Sequence, residues 1–85
     1  MTRRTWDVHH YPQTGTPESA AVLDVHWHHS SLGETITPIF KALRTEDARV
    51  ISWELKAPKS CGRLRFIGYY ETVEQAKRAA RERRR

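Results

Sequence analysis

Four cations sit close together in the second half of the chain: Lys56, Lys59, Arg63 and Arg65. On the outward side of a strand pair they could bracket backbone phosphates. Glu54 or an aromatic ring would then lie among the bases, as in β-ribbon readers of nucleic acid. A second cationic set, Lys77, Arg78, Arg81 and Arg84, lies near the C-terminus. The competing explanation is a solvated helix and edge strands kept apart by charge. An electrostatic footprint this uneven favours a polyanionic partner.

Histidines form the next group of interest: His9, His10, His26, His28 and His29. On a strand, His26 and His28 would share one face with Asp24, and His9 could join from a neighbouring strand. Such a set can hold zinc tetrahedrally. No C-x-x-C or H-E-x-x-H spacing accompanies it, and a polar strand face accepts histidine without a metal. No metal is therefore expected, with His26 and His28 the candidates if there is one. A surface that responds to pH at about 6 is an equal reading. Cys61 lies between Lys59 and Arg63 with no histidine tied to it as a base, so it reads as an exposed turn residue. No cofactor and no enzymatic activity are expected.

Composition bounds these readings. With 85 residues the chain is one small domain, which buries only roughly 60–65% of its unfolded-chain surface. Hydrophobic residues make up 38% and charged residues 29%, a folded but surface-rich balance. From Thr72 to Arg85 there are six Lys/Arg against two Glu, so this segment carries +4 of the net +5. A lone cysteine excludes an intramolecular disulfide and suits a reducing cytoplasm. No apolar run approaches the ~20 residues of a membrane span, and no signal-peptide core follows Met1. Arg3 and Arg4 read as surface charge.

The elements that must position these residues follow from period and punctuation. Thr5–Tyr11 alternates weakly and predicts a strand, followed by a loop over Pro12–Ser19. Ala20–His29 alternates more cleanly. It predicts a strand with Ala21, Leu23, Val25 and Trp27 inward and Val22, Asp24, His26 and His28 outward. A turn over Ser30–Gly33 leads to Ile36, Ile39, Phe40 and Leu43 at helical spacing. Thr37 can cap and Pro38 can open a helix running to about Glu46. The rival is a strand over Glu34–Phe40, against which Pro38 argues.

Arg49–Ala57 predicts a strand with Ile51, Trp53 and Leu55 inward. Pro58–Gly62 is the turn. Arg63–Tyr70 is the partner strand, with Leu64 and Phe66 together and Arg63 and Arg65 opposite. Ile67 then falls on the arginine side, so the strand bends at Gly68 or carries a bulge. Thr72 and Gln75 form a capping box for a last helix. Val73, Ala76 and Ala80 make a narrow stripe of small residues that lets this helix lie close to a sheet. Its last arginines are expected to fray. Trp6, Trp27 and Trp53 all fall on inward faces and read as core. The predicted class is α+β: a single domain over residues 1–85, ordered β-β-α-β-β-α, with an antiparallel sheet and helices packed on one face.

Several short segments between Trp53 and Ala80 resemble a known family. These are Glu54-Leu55-Lys56, the turn Pro58–Gly62, Phe66-Ile67-Gly68-Tyr69-Tyr70, and Thr72-Val73-Glu74-Gln75-Ala76. Together they are similar to the AP2 and integrase amino-terminal type of DNA-binding domain. The resemblance implies a three-stranded antiparallel sheet packed on one helix, and contact with DNA. Short phage and plasmid proteins often carry a similar tail. Two positions depart from the pattern: Leu64 stands where the family usually has a DNA-contacting arginine, and Arg65 where it usually has a core residue.

The expected function is thus a small basic nucleic-acid-binding module, for DNA before RNA. It would dock by its hairpin (Lys56, Lys59, Arg63, Arg65) and its basic helix (Lys77, Arg78, Arg81, Arg84). The alternative is a phage-type inhibitor or adaptor that binds an acidic surface of a host protein.

Overall fold

A computed structural model describes residues 3–11, 16–23, 25–41 and 48–82 of the chain. The order of elements is β1 (Trp6–His10), α1 (Glu18–Leu23), β2 (His26–Ser30), β3 (Thr35–Lys41), β4 (Arg49–Pro58), β5 (Leu64–Tyr70) and α2 (Val73–Glu82). The strands form one antiparallel sheet in sequence order, β1-β2-β3-β4-β5. The α+β class stands. The order β-β-α-β-β-α does not, for two local reasons.

First, the run Ala20–Leu23 is apolar throughout and so has no period of its own. Pro17 and the acidic Glu18 favour a helix start just before it, and α1 forms where a strand was expected, leaving β2 to begin at His26. Second, the helix expected from Pro38 is strand β3, the rival reading. Thr35, Ile36, Thr37 and Ile39 are strand formers. The β2–β3 pairs stop at Ile36, so Pro38 lies where β3 is paired with β4 alone, opposite Trp53. A strand that is locally an edge tolerates a residue with no N–H. The latter part of that expected helix, residues 42–47, lies outside the described residues.

The core sits between the sheet and α2. Ile36 on β3 and Leu55 on β4 are fully buried against Ala76 and Ala80, with Trp6, Trp53, Ile67, Tyr70 and Val73 packed around them. The small stripe lets the helix approach closely, so the two aliphatic side chains fill the interface. Each contributes about 1.5–3 kcal/mol by burial. The Thr72 half of the expected capping box forms, while the Gln75 side chain reaches one residue further back, to Glu71. The Gln75 amide donates to Thr72 Oγ1 at 3.1 Å, and Gln75 Oε1 accepts from the Glu71 amide at 2.9 Å. A cap of this kind is worth about 1 kcal/mol.

A polar knot holds the β2–β3 turn. Glu34 is buried and receives Arg4 through both oxygens, Nε–Oε1 at 2.7 Å and a second nitrogen to Oε2 at 3.1 Å. Ser30 Oγ donates to Glu34 Oε1 at 2.7 Å and accepts from the Leu32 and Glu34 amides. Arg4 is therefore no free surface charge. It ties the segment before β1 to the turn after β2. Gly33 in this turn has φ 96° and approaches Pro58, where an added Cβ would lie 3.1 Å from Cγ. Gly62, in the β4–β5 turn, has φ 89° with open space around it.

Two stability predictions follow from this turn geometry. Gly62→Ala should cost only the left-handed backbone penalty, about 1 kcal/mol, whereas Gly33→Ala adds the contact with Pro58 and should cost clearly more. Equilibrium urea unfolding of both variants measures the difference, and equal losses would contradict it. Arg4→Ala leaves a buried carboxylate unpaired and should cost about 3 kcal/mol. Arg4→Lys should recover only part, because a lysine cannot span both oxygens.

Candidate nucleic-acid interface

The faces of the sheet can be read from the register, since cross-strand partners project to the same side. Ile36 pairs with Leu55, and Leu55 with Gly68, so these residues define the face under α2. On the same face lie Trp6, Val8 and His10 of β1, paired with Ser30, His28 and His26 of β2. The main helix contacts with the sheet are those of α2 with β3, β4 and β5, on the face just described. The opposite face presents His9 and Trp27, Thr35 and Thr37, Glu54 and Lys56, and Leu64, Phe66 and Tyr69.

This assignment corrects three expectations. In β2 the predicted sides are exchanged: His26 and His28 point under the helix and Trp27 lies on the open face. The buried pair Ser30–Glu34 and the pairing of His28 with Ile36 set that phase. In β5 the bulge expected from Ile67 is present, as a slip between Leu55 and Lys56 that turns Ile67 toward the core, and what is corrected is the facing of the residues before it. Everything before it is inverted relative to a regular strand. Leu64 and Phe66 pair with Pro58 and Lys56 and are 47% and 51% exposed, whereas Arg65 pairs with the buried Ala57 on the helix side. Likewise a slip between Ile39 and Phe40 leaves Ile51 without a partner and 49% exposed instead of inward. Of the three tryptophans, Trp6 and Trp53 join the core and Trp27 does not.

The four hairpin cations consequently do not form one row. Lys56 is on the open face, its Nζ 3.4 Å from Glu54. Lys59 and Arg63 are exposed at the tip, where the Lys59 amide donates to the Arg63 carbonyl at 2.6 Å and closes the turn. Arg65 is exposed on the other side of β5. Cys61 is a free, exposed thiol in that turn. On α2, Lys77 is half-buried with its ammonium 5.6 Å from the Trp6 ring centre, a cation–π contact. Arg78 and Arg81 are exposed, and Arg84 lies outside the described residues.

Among the described residues no group of three or more His, Cys, Asp or Glu is placed to hold a metal ion. His9 lies across the sheet from His26 and His28, and Asp24 is outside the described residues. The histidines instead make ring contacts: His10 on His26 at 4.0 Å edge-on, and His28 on Trp53 at 6.0 Å.

The open face is richer in rings than its sequence suggested. His9 stacks on Trp27 at 4.4 Å with an interplanar angle of 18°, and His29 leans on both. Phe66 and Tyr69 are 4.8 Å apart, and Tyr69 is 60% exposed. Between these groups is a shallow concavity of about 340 Å³ lined by Tyr11, Trp27, Thr35, Thr37, Lys56 and Leu64. Burial pushes the Tyr11 hydroxyl above its usual pKa of 10.0, so it stays protonated as a donor. The signal that could have found this face is Ile67. Counting β5 backward from Tyr70 with one extra residue there turns Phe66 and Leu64 outward.

No protein-family model matches this chain, and no curated protein or solved structure is measurably similar to it.

The helix face has its own pH dependence. Burial lowers the pKa of His28 below 6.5, Lys77 and His26 lower it further, and Glu74 opposes them weakly. Its Nδ1 is buried with no hydrogen-bond acceptor among the described residues, so a proton there would be unsatisfied. A depressed folded pKa means that the unfolded chain takes up the proton first. The stability contributed by neutral His28 is complete above pH 6.5 and is lost as pH falls through its lower folded value. Thermal unfolding between neutral and mildly acidic pH should show a falling midpoint that His28→Gln makes shallower. An unchanged pH slope in that variant would contradict this.

Proposed function

We propose that this chain is a small nucleic-acid-binding module that docks through the β4–β5 hairpin. The observation that carries the reading is a set of unneutralised cations. Among the described residues the ion pairs are Arg4–Glu34 and Lys56–Glu54. Lys59, Arg63, Arg65, Arg78 and Arg81 are exposed and, among the described residues, have no carboxylate within ion-pairing distance. Five unpaired cations on a 10.0 kDa chain of net charge +5 hold a positive potential that a phosphate backbone would neutralise.

Lys59 and Arg63 are the primary contacts in this reading, and Lys56 joins them only by exchanging its Glu54 partner for a phosphate. Arg65, Arg78 and Arg81, with Arg84 beyond the described residues, add attraction from the helix side without reading sequence. The resemblance to the AP2 and integrase amino-terminal type supports the reading through the order β3, β4, β5, α2, although here those strands belong to a five-stranded sheet. It departs at Leu64, which puts an aliphatic group on the open face where that family has an arginine. The second reading is an adaptor that binds an acidic protein surface. The exposed Leu64 favours it, since an aliphatic side chain beside cations also suits a protein partner.

Fluorescence anisotropy with labelled DNA at two salt concentrations tests the proposal. Three phosphate contacts should weaken binding about forty-fold between roughly 50 mM and 200 mM salt. Arg63→Ala should reduce the salt slope by about one, and Arg65→Ala by less. No binding to any nucleic acid at the lower salt would overturn the reading.

A further inference from the structure

We propose that the open face of the sheet is a stacking surface for single-stranded nucleic acid, with one base seated in the concavity beside Lys56 and its neighbour against Phe66 and Tyr69. This rests on the nucleic-acid reading above and narrows it to a substrate class.

Charge and ring placement on the face point to that occupant. A duplex keeps its bases stacked inside and offers phosphates, so its binders spread cations over the contact surface. Here the cations Lys59 and Arg63 lie at the hairpin tip, while the face itself carries rings and short hydroxyl side chains around the Lys56–Glu54 ion pair, with the acidic Asp7 out on β1. A single strand presents unstacked bases with a polyanionic backbone alongside, and rings flanked by cations match it in both respects.

The concavity has the chemistry of one nucleotide. Trp27 supplies a ring already stacked on His9, Lys56 supplies an ammonium for a phosphate, and Thr35, Thr37 and Tyr11 supply hydroxyls for a base edge. Its volume of about 340 Å³ is at the small end for ligand pockets. Phe66 and Tyr69 extend the surface along edge strand β5, both more than half exposed. A second copy of the chain is a poorer occupant, because closing two such faces together would bring the unpaired tip cations of two +5 chains into one assembly.

The test compares the full chain with Phe66→Leu and Tyr69→Leu for binding to a labelled oligothymidylate and to a duplex of the same length, at fixed low salt. Leucine keeps the apolar area and removes the ring. Because both positions are exposed, the variants should fold, and their thermal midpoints check this. The single strand should bind at least ten-fold tighter than the duplex. Each ring loss should weaken single-strand binding about ten-fold while leaving the salt slope unchanged.

Trp27→Ala should do the same, and Trp27→Phe should restore most of the affinity. Equal or tighter duplex binding, or silent Phe66→Leu and Tyr69→Leu variants, would overturn the single-strand assignment while leaving the nucleic-acid reading intact. Failure of both nucleic acids to bind would overturn both. A dimer in sedimentation that Leu64→Ser and Phe66→Ser dissolve would give the face to a second copy and overturn the assignment.

Discussion

The seating of Ala76 and Ala80 on Ile36 and Leu55 governs the rest of this fold. A helix of ten residues is about 15 Å long, and five strands measure about 19 Å between the outer two. One such helix can cover the middle of one face and nothing more. Val8, on the covered side but out in β1, is already 52% exposed. The small side chains at the contact keep the helix close, so the core is thin and consists of few fully buried groups. The opposite face is left with its rings toward solvent. The division into a face packed under α2 and a face bearing exposed rings follows from one ten-residue helix seated on β3, β4 and β5.

Two irregularities decide what each face displays. The slip at Leu55/Lys56 turns Ile67 inward and pushes Phe66 and Leu64 to the open side. The slip at Ile39/Phe40 leaves Ile51 exposed. Bulges of this kind re-aim side chains and increase local twist. The Arg4–Glu34–Ser30 knot fixes the start of the sheet in the same way. Its charges lie thirty residues apart in sequence and close a turn that backbone bonds alone would hold loosely. Without that knot β2 could shift by one residue, and a shift of one exchanges the histidines with Trp27.

What was legible in the sequence was local. Thr72 and Gln75 announced α2, Gly62 announced the turn before β5, and the alternation of Trp53 and Leu55 marked the inward side of β4. Apart from α1, where the apolar run Ala20–Leu23 has no period to read, the mistaken parts depended on contacts between distant residues. The phase of β2 is set by Ile36 and Glu34 of the next strand, and alternation in β2 alone fits either phase. Pro38 looked like a helix start because nothing nearby shows that β2 withdraws from β3 at that point. In β5 the clue was present as Ile67 out of step, but the side on which the slip resolves is decided by Leu55. The cationic residues were identified by type, and their distribution over two faces and a tip needed the register.

The most direct measurement is an NMR titration of the chain with a short single-stranded oligonucleotide, observing the aromatic side chains. If the uncovered face is the recognition surface, the ring signals of Trp27, Phe66 and Tyr69 shift on binding while those of Trp6 and Trp53, under α2, stay in place. Shifts confined to α2 around Arg78 and Arg81, with the open-face rings unmoved, would contradict it.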